Sequence, residues 1–279
     1  MIDLTLSSIV GGDLRMIAPV IAIGFMALEY GLSKLADHDS HDLKESASSI
    51  AIAAGSKFIR PLEAALLAVP FALVYQYRLF DIDLKQAWAV AALFLSTEFF
   101  YYWHHRAAHR IRWLWATHSV HHSPRKLNYT AAIRLGWTGS ISGNFLFFLP
   151  LVWIGFHPLA VLGMLAVNLG YQFFIHTELA PHLGPLEWVL NTPRHHLVHH
   201  ASNQACLDKN YGGMLIVYDR IFGTFAAPPE HEPLRYGLVK AVSSQNPFRI
   251  VFGEWVHIVR DFNAAQTWRQ RWRALFGTP

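Results

Sequence analysis

Residues 98–122, EFFYYWHHRAAHRIRWLWATHSVHH, decide how the chain is read. They close an apolar run that begins near residue 86 and then place imidazoles at 105, 109, 118, 121 and 122. His105 and His109 are four residues apart, so on a helix they share one face, one turn from each other, and can share a metal. His118, His121 and His122 follow as H-x-x-H-H, whose i, i+3 and i, i+4 spacings gather imidazoles on one side again. The pattern returns as His196, His199 and His200, preceded by His195, while a lone His176 ends a later apolar run. Glu98 lies seven residues before His105 and eleven before His109, on the same helical face. It is expected to orient a histidine, relay a proton or join helices, since an intramembrane carboxylate usually has a partner.

Nine imidazoles, with His195 as a further candidate, exceed what one ion accepts, so two metals are implied. Zinc hydrolases keep three protein ligands and usually include a carboxylate or thiolate; a set this nitrogenous favours iron. Seventeen histidines in 279 residues, most of them in three short stretches, are not a compositional accident. Cys206 is the single cysteine, which excludes an internal disulfide framework and any thiolate-rich site. The remaining histidines are read structurally: His38 and His41 among aspartates, His157 on the opposite membrane side, and His104, His182, His231 and His257 without ligand spacing.

Outward from the histidines the chain is lipid-like, 53% hydrophobic with only 15% charged residues. Apolar segments at about 15–35, 60–80, 86–104, 139–156 and 158–176 each approach the length that crosses a bilayer. The expectation is therefore an all-α, polytopic membrane bundle of about five hydrophobic helices, the fourth and fifth forming a tight hairpin at Phe156, His157 and Pro158 that could also be re-entrant. Asp3 and the lack of a basic start or a cleavage site argue against a removable signal, so the first helix is expected to stay. Residues 105–138 carry Arg106, Arg110, Arg112, Arg125, Lys126 and Arg134 and no acid, which places that loop and the 36–59 loop in the cytoplasm. Arg15, Arg78 and Lys85 are left for the outer face. The net charge of +4 is spread along the chain without a cationic block, so it reads as membrane topology and not as nucleic-acid binding. The chain reads as one domain, with N-terminal membrane helices at about 1–95, a histidine-bearing region at about 95–240 and a C-terminal stretch at about 241–279; from about 179 onward it turns polar and Pro-rich, which indicates a cytoplasmic helical cap without further spanning runs. In that last stretch Trp255, Trp268 and Trp272 with Arg260, Arg269, Arg271 and Arg273 suit an interfacial helix or a helix packed on the cap.

EFFYYWHHRAAH at 98–109, WATHSVHHSPRKLNYTAAIR at 115–134 and NTPRHHLVHH at 191–200 resemble the histidine boxes of the fatty acid hydroxylase and sterol desaturase superfamily. HTELAPHLGPLEW at 176–188 and DKNYGGMLIVYDRIFGTF at 208–225 resemble its alkylglycerol monooxygenase-like branch. The resemblance implies an integral membrane enzyme in which a di-iron centre, O2 and electrons hydroxylate or desaturate a lipid. It makes His105, His109, His118, His121, His122, His176, His196, His199 and His200 the metal ligands, with His195 an addition to that set or to the catalytic groups. It also gives Asp208, Asn210, Tyr211, Asp219 and Arg220 the task of holding the cap around the metals. The chain departs from ether-cleaving members at Arg110, where they carry glutamate, and at Tyr218, where tryptophan is common.

No Gly-rich dinucleotide fingerprint or haem-attachment motif is present, so an external electron donor is expected, a partner protein or a small reductant. The resemblance alone leaves tetrahydrobiopterin open. Two other classes fit a histidine-rich membrane protein: a metal transporter or store, which should line both halves of a path with ionisable groups, and a zinc hydrolase, which would act without O2.

Overall fold

The computed structural model describes residues 5–240 and 244–279, with side chains from residue 17 onward. The readings of Asp3, of the Arg15 side chain and of the boundary at 241 therefore lie outside the described residues. Helix α1 spans Thr5–Leu35 and α2 spans Leu43–Gln76. The first described turn of α2 is capped by Asp42, whose carboxylate accepts from Lys44 N at 2.8 Å and Glu45 N at 3.1 Å. Within α1, residues Ile17–Leu35, and all of α2 are long and apolar enough to cross a membrane. Their apolar side chains face outward: Val20 and Ile23 are each 64% exposed and Phe58 is 85% exposed. A soluble protein's core helix would bury those groups.

The expected loop at 36–59 is mostly helix. Only residues 36–42 connect α1 to α2, because the small polar residues of KESASSIAIAAGS at 44–56 form a packing face. Ser46, Ser48, Ser49 and Ser56 are buried there, and the Arg134 guanidinium donates to Ser49 Oγ at 2.9 Å and to the Glu45 carbonyl at 2.8 Å. Arg134 is thus 1% exposed and clamps the 123–134 segment to α2.

Helix α3, Ala87–Arg110, carries the first histidines to its C-terminal end, and α4, Arg112–His118, follows after a one-residue break. The single turn α5, Tyr129–Ala132, leads to the segment expected to be the fourth crossing. That expectation is corrected: residues 139–156 hold a 3-10 turn, Asn144–Phe148, and the six-residue α6, Leu149–Ile154. Gly143 and Gly155 adopt positive φ, and Gly155 turns the chain where its Cα faces the Phe80 carbonyl, which no Cβ would permit. Helix α7, Pro158–Phe174, starts from a His157 cap, its ring nitrogen accepting from Leu159 N at 3.2 Å. At about 26 Å α7 is shorter than a full crossing, so α6 and α7 form a short hairpin packed on α2 and α3.

The histidine end is completed by α8, Pro193–His200, and α9, Val217–Ile221, while α10, Pro247–Ala264, and α11, Trp268–Phe276, pack against each other and on α4. The C-terminal stretch is two helices, broken at 265–267, where Thr267 and Gln270 form a capping box for α11. The α10 residues Ile250 and Val251 pack on Ile52 of α2 and on Val120, and Arg112 ties α10 down through Glu254 at 2.7 Å and Asp261 at 2.8 Å. Trp268 and Trp272 stay 73% and 58% exposed. Among the described residues no strand forms; two isolated bridges join Leu190 to Leu215 and Ala201 to Tyr236.

Candidate metal centre

Four stretches deliver histidines to one end of the bundle. The last two turns of α3 supply His105 and His109, and α4 ends on His118. His121 and His122 leave the helix in a turn, with His121 N bonded to the His118 carbonyl at 2.9 Å, so the H-x-x-H-H run keeps one side without continuing the helix. His176 sits just beyond α7, and α8 presents His196, His199 and His200 from two turns started by Pro193.

The rings form two groups. His105, His109, His118, His122 and His199 make one, and His121, His176, His196 and His200 the other, with the ligand atoms of each group within 4.8 Å of one another. The groups share a wall, where His122 stacks on His200 with centroids 4.3 Å apart and an interplanar angle of 18°. Within them Nε2 atoms converge: His105 and His118 at 2.9 Å, His118 and His122 at 3.2 Å, His176 and His196 at 2.9 Å, and His196 and His200 at 3.1 Å. Such separations place the nitrogens close enough to share an ion at metal–nitrogen distances of about 2.1 Å. The Nε2 atoms of His109 and His199 are buried without any partner in the protein. Burial, reinforced by neighbouring imidazoles, holds His118, His121, His122, His196 and His200 well below the usual histidine range. Burial also brings His176 and His199 down to about 4. Neutral imidazoles with inward lone pairs and no protein donor to fill them are what a metal pair requires.

Backbone carbonyls fix the outward nitrogens of three of these rings. Nδ1 of His105 donates to the Tyr211 carbonyl at 2.8 Å, Nδ1 of His176 to the Gln172 carbonyl at 2.6 Å, and Nδ1 of His199 to the Lys209 carbonyl at 2.9 Å. Each contact selects the tautomer that leaves Nε2 facing inward. The loop 208–216 that offers two of these carbonyls is itself over-determined. Asp219, fully buried, accepts from Tyr211 N and Gly212 N, each at 2.7 Å, and from Thr224 Oγ1 at 2.7 Å. Asp208 and Asn210 adopt left-handed φ of 60° and 57°, and the Asn210 amide spans the His195 carbonyl at 3.0 Å and the Ala226 carbonyl at 2.8 Å. At Gly213 any Cβ would run into the Asn168 amide.

Glu98 touches no imidazole. Its carboxylate accepts from Met214 N at 2.8 Å, from Leu215 N at 2.9 Å and from the Asn168 amide, and Asn168 in turn accepts from Gln172. The polar stripe of Glu98, Asn168 and Gln172 thus pins the 208–216 loop to α3 and α7. His195 lies outside both groups: its ring packs edge-on against Phe225, centroids 5.3 Å apart, and its carbonyl serves the Asn210 amide. Arg110 pairs with Asp208 at 2.7 Å, Arg220 lies over Phe225 with its guanidinium 3.8 Å from the ring centre, and the Tyr218 hydroxyl donates to the Leu95 carbonyl at 2.8 Å. The anchoring residues Asp219, Asn210 and Gly213 carry no spacing signal, because their partners are backbone groups distant in sequence. A cleft of about 820 Å³ with charged walls, including Arg112, Asp208 and Glu254, opens onto His109, His122, His199 and His200 from the polar side.

The fatty acid hydroxylase family profile matches residues 90–224, the span that holds every histidine of both groups. The chain is 41% identical to an alkylglycerol monooxygenase of Homo sapiens over 204 residues, 73% of this chain and 45% of that protein. It is 39% identical over 203 residues to one of Xenopus tropicalis, again 73% and 45%. It is 31% identical to an ornithine lipid hydroxylase of Rhizobium tropici over 202 residues, 72% of this chain and 60% of that protein. The chain therefore spans about half the length of the alkylglycerol monooxygenases it matches. No solved structure matches it.

Proposed function

Because residues 90–224 belong to the fatty acid hydroxylase family, we propose that this chain is a membrane-bound, O2-dependent oxidoreductase that hydroxylates or desaturates a lipid at a pair of iron ions. The observation that carries the reading is the two adjoining groups of inward-facing imidazoles at one end of an apolar bundle. His105, His109, His118, His122 and His199 would hold one ion, and His121, His176, His196 and His200 the other. Iron bound there supplies the capacity to use O2 against an unactivated C–H bond. The protein's part is to keep the imidazoles neutral by burial and to aim Nε2 of His105, His176 and His199 inward through a carbonyl on Nδ1. Glu98 and Asp219 position the 208–216 loop and so hold His105 and His199 in place.

Hydroxylation consumes a pair of electrons and a pair of protons beyond O2 and the C–H bond, so the reaction draws on a donor protein or a small reductant. The charged cleft that reaches four of the histidines suits that approach from water. The histidine end also carries Arg110, Arg112, Arg125 and Lys126, while the far end holds Arg78 and Lys85. That bias supports a cytoplasmic active site. The test is an aerobic assay of iron-loaded protein in bilayers against a lipid extract, followed by mass spectrometry. A product gaining one oxygen or losing two hydrogens, absent from His199→Ala, is expected. Turnover without O2, with zinc as the better metal, would instead favour a hydrolase, and metal flux without lipid turnover a transporter.

A further inference from the structure

Helix α10 divides into three faces. At about 100° per residue, Val251, Trp255 and Ile258 fall together and turn inward. Val251 packs on Ile52 of α2, and the Trp255 indole donates to Thr138 Oγ1 at 3.0 Å. A second face, with Glu254, His257, Arg260 and Asp261, walls the charged cleft that reaches the histidines. The third, with Phe248, Phe252, Val256 and Val259, is apolar and turned outward along about 16 Å of helix. Phe248 is 64% exposed there and Val256 is 63% exposed.

Helix α11 carries a similar stripe of larger side chains. Trp268, Trp272 and Phe276 recur every four residues and are exposed, while Ala274 on the other side is buried. Arg269, Arg271 and Arg273 flank the stripe, and α11 contains no acid. The two acids of α10 do not offset them, because Arg112 engages both Glu254 and Asp261. Indole rings with arginines beside them are the composition of a helix lying in the headgroup layer.

The path of α2 indicates what the stripes meet. Its 34 residues extend about 51 Å, which exceeds a hydrocarbon core of about 30 Å by roughly 20 Å. Lys57 and Arg60, both exposed, mark the level at which α2 leaves lipid; from Arg60 to Gln76 about 24 Å remain, enough for a slightly thinned core. Trp137 lies against Gly55, just beyond that level, so closely that a Cβ on Gly55 would collide with the ring. Phe248 and Phe252 pack edge-on against Trp137, with centroids 5.3 Å and 6.0 Å away. The α10 stripe therefore begins where the lipid-facing surface of α2 ends.

We propose that α10 and α11 lie on the bilayer that α1 and α2 cross, with both stripes in the headgroup layer and the α11 arginines on the phosphates of anionic lipid. A second copy of the chain is the poorer occupant. A twofold contact through this face would set the three arginines of one α11 against those of the other, with no acid on either helix to answer them. The arrangement puts α10 between lipid and the cleft, so the opening onto His109, His122, His199 and His200 lies at the membrane surface. It goes beyond the oxygenase reading and holds for any reaction at the metals.

Position-specific quenching tests it. In the full metal-loaded chain, one per nanodisc, Cys206→Ser removes the single thiol. Phe252→Cys, Val256→Cys or Trp272→Cys then carries a bimane probe on a stripe, and His257→Cys or Arg260→Cys carries it on the cleft face. Phosphatidylcholine with a nitroxide high on its acyl chain quenches from the bilayer, and iodide quenches from water. Relative to iodide, nitroxide lipid is expected to quench the stripe probes about fivefold more strongly than the probes at 257 and 260. Raising phosphatidylglycerol from none to about 30% of the bilayer should increase nitroxide quenching at 272 about threefold, and replacing Arg269, Arg271 and Arg273 together by glutamine should abolish that increase. Stripe probes that iodide reaches as readily as those at 257 and 260 overturn the proposal, as does quenching at 272 that ignores phosphatidylglycerol. Protection from iodide without nitroxide quenching, found only when two chains share a nanodisc, assigns the face to a second copy and overturns it as well. No turnover is measured, so failure here leaves the oxygenase reading standing.

Discussion

At the scale of single residues, the division between imidazoles that face inward and those that do not leads to sharp expectations. His199→Ala removes an unpartnered Nε2 and its carbonyl-fixed ring; it should lower bound iron and abolish oxidised lipid. His195→Phe, outside both groups and already packed on Phe225, should keep the full iron content measured by plasma emission. Asp219→Asn should act on metal without touching it. The new amide replaces one of two carboxylate oxygens with a donor facing the Tyr211 or Gly212 N–H, so stability falls by about 2 kcal/mol. Iron affinity should fall about tenfold or more as the carbonyl on His105 shifts, read by thermal unfolding and by chelator competition. The imidazoles were legible because four-residue spacing puts them on a face before any tertiary structure is known. The part played by Glu98 was legible only as a need for a partner, since its partners are backbone amides at 214 and 215. A backbone N–H has no letter in a sequence.

At the scale of elements, the misreadings have physical causes. Residues 43–59 look like a loop because serine, alanine and charge dominate them, yet those small side chains let Arg134 and the 123–134 segment approach α2 closely. The distinction is testable at Ala51, an exposed position in the helix interior. Ala51→Pro should cost about 3 kcal/mol by deleting a helical hydrogen bond and clashing with the preceding turn, where a true loop would tolerate it. Thermal unfolding in detergent measures the difference. Residues 139–156 differ in the opposite direction: their apolar composition suits a span, while Gly143, Pro150 and Gly155 break the segment into turns and a short helix. Hydrophobicity reports where a segment sits; glycine and proline report whether it can continue. Gly213→Ala belongs to this scale too, because the collision with Asn168 would push the cap loop off α7. A loss of about 1–3 kcal/mol and weaker iron retention are expected in the same two assays.

At the scale of the whole molecule, the buried imidazoles couple folding to protons. His176 and His199 titrate near 4 in the folded chain and, like any exposed histidine, near 6.5 when unfolded. Between those values the unfolded chain takes up protons that the folded chain refuses, so stability of the metal-free protein is full above about 6.5 and declines as pH falls toward about 4. Bound iron should leave over the same interval, since ligation needs the neutral ring. Unfolding temperature and iron content followed from neutral to acid pH check both slopes; a flat response would mean that these rings are not held neutral by the fold.

The carbonyls of Lys209 and Tyr211 that steady His199 and His105 come from chain made after the last of the nine imidazoles. A ribosome that has just released residue 200 has delivered every metal-facing ring but none of the scaffold at 208–225 that aims two of them. Nascent chains stalled with residue 200 just emerged should therefore capture iron poorly and lose it quickly, and retention should rise only once Phe225 has itself left the ribosome. On the proposed ligand assignment, metal insertion would be a late event in biosynthesis, timed by a loop that supplies none of the nine imidazoles.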